Sequence, residues 1–299
     1  MRVQGKCEIL EEAGEGGLGV TIKCRDEKGL IFVAKFPKDH SPEKQEMLDD
    51  EVRRLQRHQS PYVVKYLGEV ILHDGRRGYA MEPMDGSLAG LVAQQGAMPP
   101  DRALGFFSQV VRGLAEVHAS APGAFHGDVK LANVLYKGTH AKIADFGLAR
   151  GGLGQTCLVG GHQGGTPGYF PPERLASPKG DVYSVGVMLW ALLAGREPHP
   201  TTGPYVKFQL KPMLDQLLSG MLEREPHARL TIRQVLEHLP RVEAEARAQN
   251  GKGWVGAVLG LGAVAGGIAL AAYAIAKGSK EWDPQVQRFR GAGGRFVAG

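Results

Sequence analysis

The stretch "HGDVKLANVLYKGTHAKIADFG", residues 126–147, sets two aspartates, an asparagine and three lysines beside apolar runs. A charge buried alone is costly, so Asp128, Lys130, Asn133 and Asp145 need partners or a site to line. The fold must therefore bring polar groups together next to buried strands. A glycine, Gly127, stands directly before the first aspartate.

The flanking pattern falls into two parts. Between Gly5 and Leu72 the segments "VTIKCR", "LIFVAKF" and "YLGEVILHD" read as short strands, interrupted by one helix from about Pro42 to His58 on which Met47, Leu48, Val52 and Leu55 recur at helical spacing. Beyond "YAMEPMDGS" the strand character fades. An amphipathic helix is expected over Asp101 to Ser120, behind Pro99 and Pro100, and an almost wholly apolar one over Asp181 to Gly195, closed by that glycine. Further helices fit "YVKFQLKPMLDQLLSGMLE" and "TIRQVLEHL", and "RVEAEARAQNGKG" reads as a charged linker.

At 299 residues, 43% of them hydrophobic, the chain can bury a core large enough for two lobes and a tail. The net charge of +5 is spread along the chain without a basic run, which argues against nucleic acid as a partner. Cys7, Cys24 and Cys157 are odd in number, irregularly spaced and lack a CxxC pair, fitting neither a disulfide framework nor a zinc site. A reducing compartment is the simpler expectation, and "MRVQGKCEILEEAGEGG" has no apolar run suited to a secretory signal.

Near the start, "GEGGLGV" (14–20) spaces Gly14, Gly16, Gly19 and Val20 as GxGxxGxV between two predicted strands. Glycines there suit a loop whose backbone N–H groups approach phosphate oxygens, although a tight hairpin would use the same residues. Fifteen residues after Val20, Lys35 lies in the apolar strand "FVAKF" and needs an anion. Glu51 is the candidate, because "EVRRL" puts it on one helix face with Leu55.

Taken in order, the glycine loop, "VAK", Glu51, "HGDVKLAN", "DFG" and "PPE" resemble the eukaryotic-type protein kinase family over roughly residues 9 to 239. The resemblance implies an α+β bilobal kinase fold, with a small β-rich N-lobe holding one helix and a larger, mainly helical C-lobe. The boundaries it suggests are 1–84 for the N-lobe with hinge, 85–240 for the C-lobe, 241–253 for the linker, 254–276 for a membrane segment and 277–299 for a short basic tail. It implies ATP and Mg2+ as cofactors and proteins as substrates. Asp128 would orient the substrate hydroxyl and accept its proton, and Lys130 would neutralise the transferring phosphate. Asn133 and Asp145 would hold magnesium, while Lys35, fixed by Glu51, would grip the α- and β-phosphates. Adenine would lie between Val20 and Ala34 on one side and Leu135 on the other, along hinge backbone from Glu82 to Met84, with Met81 as gatekeeper.

Other matches imply structural roles. Glu173 and Arg229 resemble the ion pair that braces the activation segment, Asp181 resembles the residue that ties down the catalytic loop, and His126 and Phe146 resemble stacked spine residues. His118 and the remaining histidines show no metal-ligand pattern. Lys130 and Thr166 of "GTPGYFPPE" match the serine/threonine branch.

Gly127 departs from the family pattern, in which regulated members carry an arginine that grips an activation-segment phosphate. With seven glycines in "RGGLG" and "GGHQGG" around Thr156, that segment is expected to be mobile and control by loop phosphorylation to be absent. A pseudokinase scaffold is the rival reading, opposed by the presence of Lys35, Glu51, Asp128, Asn133 and Asp145 together.

The C-terminal region changes character. Residues 254–276 are 23 uncharged residues between Lys252 and Lys277, about 34 Å long as a helix and enough for a bilayer core of about 30 Å. Gly256/Gly260 and Gly262/Gly266 form GxxxG pairs suited to a homo-oligomer in lipid. Three Lys and Arg flank the segment within about 20 residues on its N-terminal side and five on the other, which by the positive-inside rule opposes a cytosolic kinase. A re-entrant hairpin at Gly266–Gly267 would reconcile the two, but a single pass with a cytosolic kinase domain is the expectation, because a folded domain made first has no means of export.

Overall fold

In the computed structural model, residues 8–15, 19–72, 74–146, 158–159, 162–163, 166–200, 210, 212–248, 281–283, 288–290 and 296–297 are described. Strands β1 (Glu8–Glu15), β2 (Gly19–Arg25), β3 (Ile31–Pro37), β4 (Tyr66–Ile71) and β5 (Arg77–Met81) form one antiparallel sheet in the order β1-β2-β3-β5-β4. Helix α1 (Pro42–Arg57) packs against β3, β4 and β5.

Strand parity decides what each face of this sheet does. Phe32, Ala34 and Phe36 of β3 share one face and cluster with Cys24, Val70 and Ala80. Lys35 must then point to the other face, where α1 buries Leu48, Glu51 and Leu55 at helical spacing. Gly19 is required by close packing here: a Cβ would come within 2.1 Å of the Phe36 carbonyl oxygen across the β2–β3 pairing.

A second sheet of β6 (Gly86–Ser87), β7 (Val134–Lys137) and β8 (His140–Ile143) carries the catalytic-loop region, with α2 (Leu88–Gln95) and α3 (Pro100–Ala119) beside it. Helix α4 (Pro178–Ala194) is buried almost all round, as its composition predicts. Ser177 caps its start by accepting from Gly180 N, and Gly195 closes it in the left-handed conformation. Helices α5 (Pro212–Met221) and α6 (Ile232–Arg247) complete the larger lobe, and one continuous core runs from α1 to α6.

Of the helix foreseen over 205–223, Pro212–Met221 is helical, and 205–209 and 211 lie outside the described residues. The linker foreseen from 241 is instead helical to Arg247, because Val242 and Ala246 keep the apolar stripe of α6 in register past Pro240. The expected membrane segment 254–276, most of the activation segment with Thr156, and Gly16 lie outside the described residues. Among the described residues no helix is long and apolar enough to cross a membrane.

Candidate active site

The Lys35–Glu51 pairing expected from the sequence is formed. Lys35 Nζ lies 2.9 Å from both carboxylate oxygens of fully buried Glu51 and 3.4 Å from Asp145 Oδ1. Burial by itself would favour the neutral amine, but the two carboxylates outweigh it and hold the Lys35 pKa above its ordinary value. Tyr79, opposite Lys35 in the β3–β5 register, donates its hydroxyl to Glu51 Oε1 at 2.7 Å. Burial and that neighbouring carboxylate push the Tyr79 pKa far up, so it stays a donor. Nothing in the local sequence marks Tyr79; only the strand pairing reveals it.

Asp128 receives donors on both oxygens. Thr166 donates its hydroxyl to Oδ1 at 2.9 Å, and Asn133 Nδ2 and Lys130 Nζ each lie 2.8 Å from Oδ2. Lys130 Nζ also donates to Thr166 Oγ1 at 2.7 Å, and Asn133 Nδ2 to the Asp128 carbonyl at 2.9 Å. Four residues that the sequence singled out thus form one network. Ala144 N donates to the Asn133 carbonyl at 2.8 Å, which brings Asn133 beside the β8 end that carries Asp145. Asp145 itself has φ +62°, a left-handed conformation costing a non-glycine residue about 1–2 kcal/mol.

Asp181, at the start of α4, pins the catalytic loop from below. Its Oδ2 accepts from His126 N at 2.7 Å, its Oδ1 from Gly127 N at 2.8 Å, and His118 Nε2 sits 2.8 Å from Oδ2. His118, unassigned from its sequence position, therefore completes this staple. Gly127 adopts φ +87°, so the absence of a side chain coincides with a backbone that favours glycine. His126 accepts from Asp128 N through Nδ1 at 3.2 Å and meets the Ala144 carbonyl through Nε2 at 3.2 Å, which fits the tautomer protonated on Nε2. Its ring packs 4.8 Å from that of Phe146.

Around the expected adenine position, Ala34 is fully buried on β3 beside Ile22 and Ala80, Met81 ends β5 buried, and Leu135 is half-buried on β7. Val20, on β2, packs at the margin of the smaller core cluster. The hinge is fixed from behind: the Glu82 carboxylate accepts from Lys65 N at 2.8 Å and from Lys142 Nζ at 2.6 Å. Met84 is half-buried and Gly14 exposed, its carbonyl accepting from the Thr21 hydroxyl at 3.0 Å.

Arg229 is buried with all its donors engaged, bidentate to Glu173 at 2.8 Å on each arm and donating to the carbonyls of Glu223, Lys179 and Arg224. Among the described residues no cluster of three His, Cys, Asp or Glu side chains could hold a metal. Asn133 spends both amide hydrogens on Asp128, so its amide oxygen is the atom it can turn to a metal, and with the Asp145 carboxylate it offers the few hard ligands magnesium takes alongside phosphate oxygens.

The protein kinase domain family matches residues 7–239. Similar proteins include human receptor-interacting serine/threonine-protein kinase 3, 31% identical over 68% of this chain and 40% of that protein. Serine/threonine-protein kinase SRK2C of Arabidopsis thaliana is 29% identical over 77% of this chain and 74% of its own. Serine/threonine-protein kinase PknL of Mycobacterium tuberculosis is 38% identical over 42% of this chain and 33% of its own. The chain thus spans well under half of the human and mycobacterial proteins. The relatives named are serine/threonine protein kinases, and the chain itself belongs to the protein kinase family.

Proposed function

We propose that this chain transfers the γ-phosphoryl group of ATP to serine or threonine hydroxyls of protein substrates. The observation that carries the reading is the Asp128 network. Lys130, Asn133 and Thr166 hold the carboxylate in one orientation, so it can align an incoming hydroxyl and take its proton. Lys130, beside the same oxygen, is placed to meet negative charge on the group being transferred. Lys35, kept cationic by Glu51 and Asp145, holds the non-transferred phosphates. Asn133 and Asp145 would hold magnesium, which when bound supplies neutralisation of the phosphate oxygens. Phosphoryl transfer asks little covalent chemistry of a protein, so alignment and charge are what these residues contribute.

With no side chain at Gly127 to grip a loop phosphate, the active arrangement does not depend on phosphorylation at Thr156. Residues 254–276 anchor the protein in a membrane as a single pass with the kinase domain in the cytosol, and the GxxxG pairs favour self-association there. The test is MgATP-dependent phosphorylation of a serine/threonine peptide library by the full chain. Asp128→Asn should retain nucleotide and slow transfer by about a hundredfold or more, and Asp145→Ala should abolish it. Undiminished transfer by Asp145→Ala would sink the assignment.

A further inference from the structure

The Asp145–Phe146 turn is held from α1. The Phe146 carbonyl accepts from Arg54 Nη1 at 2.7 Å, and the Phe146 ring stacks on His58 with centroids 5.4 Å apart and planes 15° apart. Arg54 and His58 are four residues apart, Arg54 in the last turn of α1 and His58 its C-cap, and so meet the same neighbour. One turn earlier on that helix, Glu51 binds Lys35. The connection after α1 is fastened to β8, the strand leading into Asp145, through Val64 N to the Ile143 carbonyl at 2.9 Å and Ile143 N to the Tyr62 carbonyl at 2.8 Å.

The turn needs such support. Asp145 occupies a left-handed conformation that a carboxylate side chain adopts only when its surroundings enforce it. His126 supports the Phe146 ring from the catalytic loop, but it leaves the carbonyl of Phe146 untouched. Gly127 offers no side chain that could order the segment following the turn.

We infer that Arg54 and His58 are positioning residues, a clamp by which α1 holds the Asp145–Phe146 turn in its metal-binding geometry. Resting on the reading of Asp145 as a magnesium ligand, the inference adds what keeps it there: the phosphate-binding lysine and the metal-binding turn are set by one helix. A guanidinium on a carbonyl and an imidazole on a phenyl ring act through position, since the contacts they make here are to the backbone and ring of Phe146.

The test uses the full chain, with transfer rate measured against free Mg2+ at saturating ATP, alongside melting temperature and metal-free ADP binding. Arg54→Met should raise the Mg2+ midpoint about threefold or more and lower kcat about tenfold, leaving melting temperature and metal-free ADP affinity near wild type. Arg54→Lys and His58→Phe should recover most of the wild-type metal response, and His58→Ala should not. A wild-type Mg2+ midpoint and kcat in Arg54→Met overturns the clamp, as does a loss that follows melting temperature equally in all four variants. Should Arg54→Met fail to fold, the contrast between His58→Phe and His58→Ala decides in the same way. Asp145→Asn separates the two readings. If it leaves the metal response intact, the metal assignment fails and the clamp with it; if it alters the response while Arg54→Met does not, only the clamp fails.

Discussion

Lys130 Nζ and Thr166 Oγ1 lie 2.7 Å apart although 36 residues separate them in the chain. The threonine hydroxyl in turn donates a hydrogen bond to Asp128 Oδ1 at 2.9 Å. A hydroxyl that accepts from a lysine and donates to a carboxylate fastens the catalytic loop to the segment leading into "PPE".

Removing that hydroxyl should therefore impair catalysis with no phosphate involved. Thr166→Ala is expected to lower kcat about ten- to a hundredfold, and Thr166→Ser, which keeps the oxygen, to retain most activity. Phosphatase-treated enzyme and Thr156→Ala should stay near the wild-type rate on a peptide substrate. A large loss in either would show that loop phosphorylation matters after all.

Glu51 holds Lys35 and receives Tyr79, so the two partners can be separated by substitution. Glu51→Gln keeps the shape but removes the charge that holds the ammonium, and should raise KM for ATP and lower kcat/KM by at least about tenfold. Tyr79→Phe removes a single hydrogen bond and should destabilise by about 1 kcal/mol, with a smaller kinetic effect. Steady-state kinetics together with urea unfolding separates these outcomes. Equal kinetic damage from both variants would contradict the assignment of Lys35 as the phosphate-holding group.

Lys35, Asp128, Asn133 and Asp145 could be read from sequence because each is a charged or amide group beside an apolar run, where a partner is needed, and Glu51 because it shares a helix face with Leu55 and answers the need of Lys35 for an anion. The residues that hold them could not. Tyr79 and His118 are ordinary members of a strand and a helix until register and packing bring them to Glu51 and Asp181. Arg54 looks like an exposed helix cation, since no spacing rule connects it with a carbonyl 92 residues away. The continuation of α6 to Arg247 was hidden by Pro240 and by charges that mark only its solvent face. Helical periodicity at Val242 and Ala246 carried the signal, but two small apolar residues among charges are a weak one.

Arg229 makes a stability prediction with a clear sign. Its guanidinium is 1% exposed and every donor is engaged, so truncation would leave Glu173 and several carbonyls without it. Arg229→Ala should cost about 3–5 kcal/mol in equilibrium unfolding. Arg229→Lys should recover only part of that loss, because an ammonium cannot make the bidentate contact. A loss below about 1 kcal/mol for the alanine variant would mean that the ion pair does not brace the C-lobe.

His58 predicts a pH effect. Burial against Phe146, with the nearby His126 and Arg57, lowers its pKa below the ordinary value, against a smaller opposing pull from Glu116. The unfolded chain therefore takes up a proton more readily than the folded one as pH falls through about 6.5. Stability should decline below that pH, and the share due to His58 should vanish in His58→Phe, which stacks without titrating. Melting temperatures of both proteins between pH 5.5 and 7.5 measure it. Parallel curves would show that His58 does not weaken the clamp on protonation.

The proposed anchor is open to the most direct test. Thirteen of residues 254–276 are glycine or alanine and eight are large aliphatics, so insertion is driven less strongly than for a leucine-rich span. The same small residues let backbones approach, and in lipid that close packing, not hydrophobicity, drives helix association. Association would raise the local concentration of kinase domains and favour phosphorylation in trans. Alkaline carbonate extraction of membranes should retain the full chain and release a chain ending at Gly251. Crosslinked dimers should fall in Gly260→Leu and Gly266→Leu. Release of the full chain with the soluble fraction removes the anchor, whereas retention with undiminished dimers removes only the packing role of the glycines.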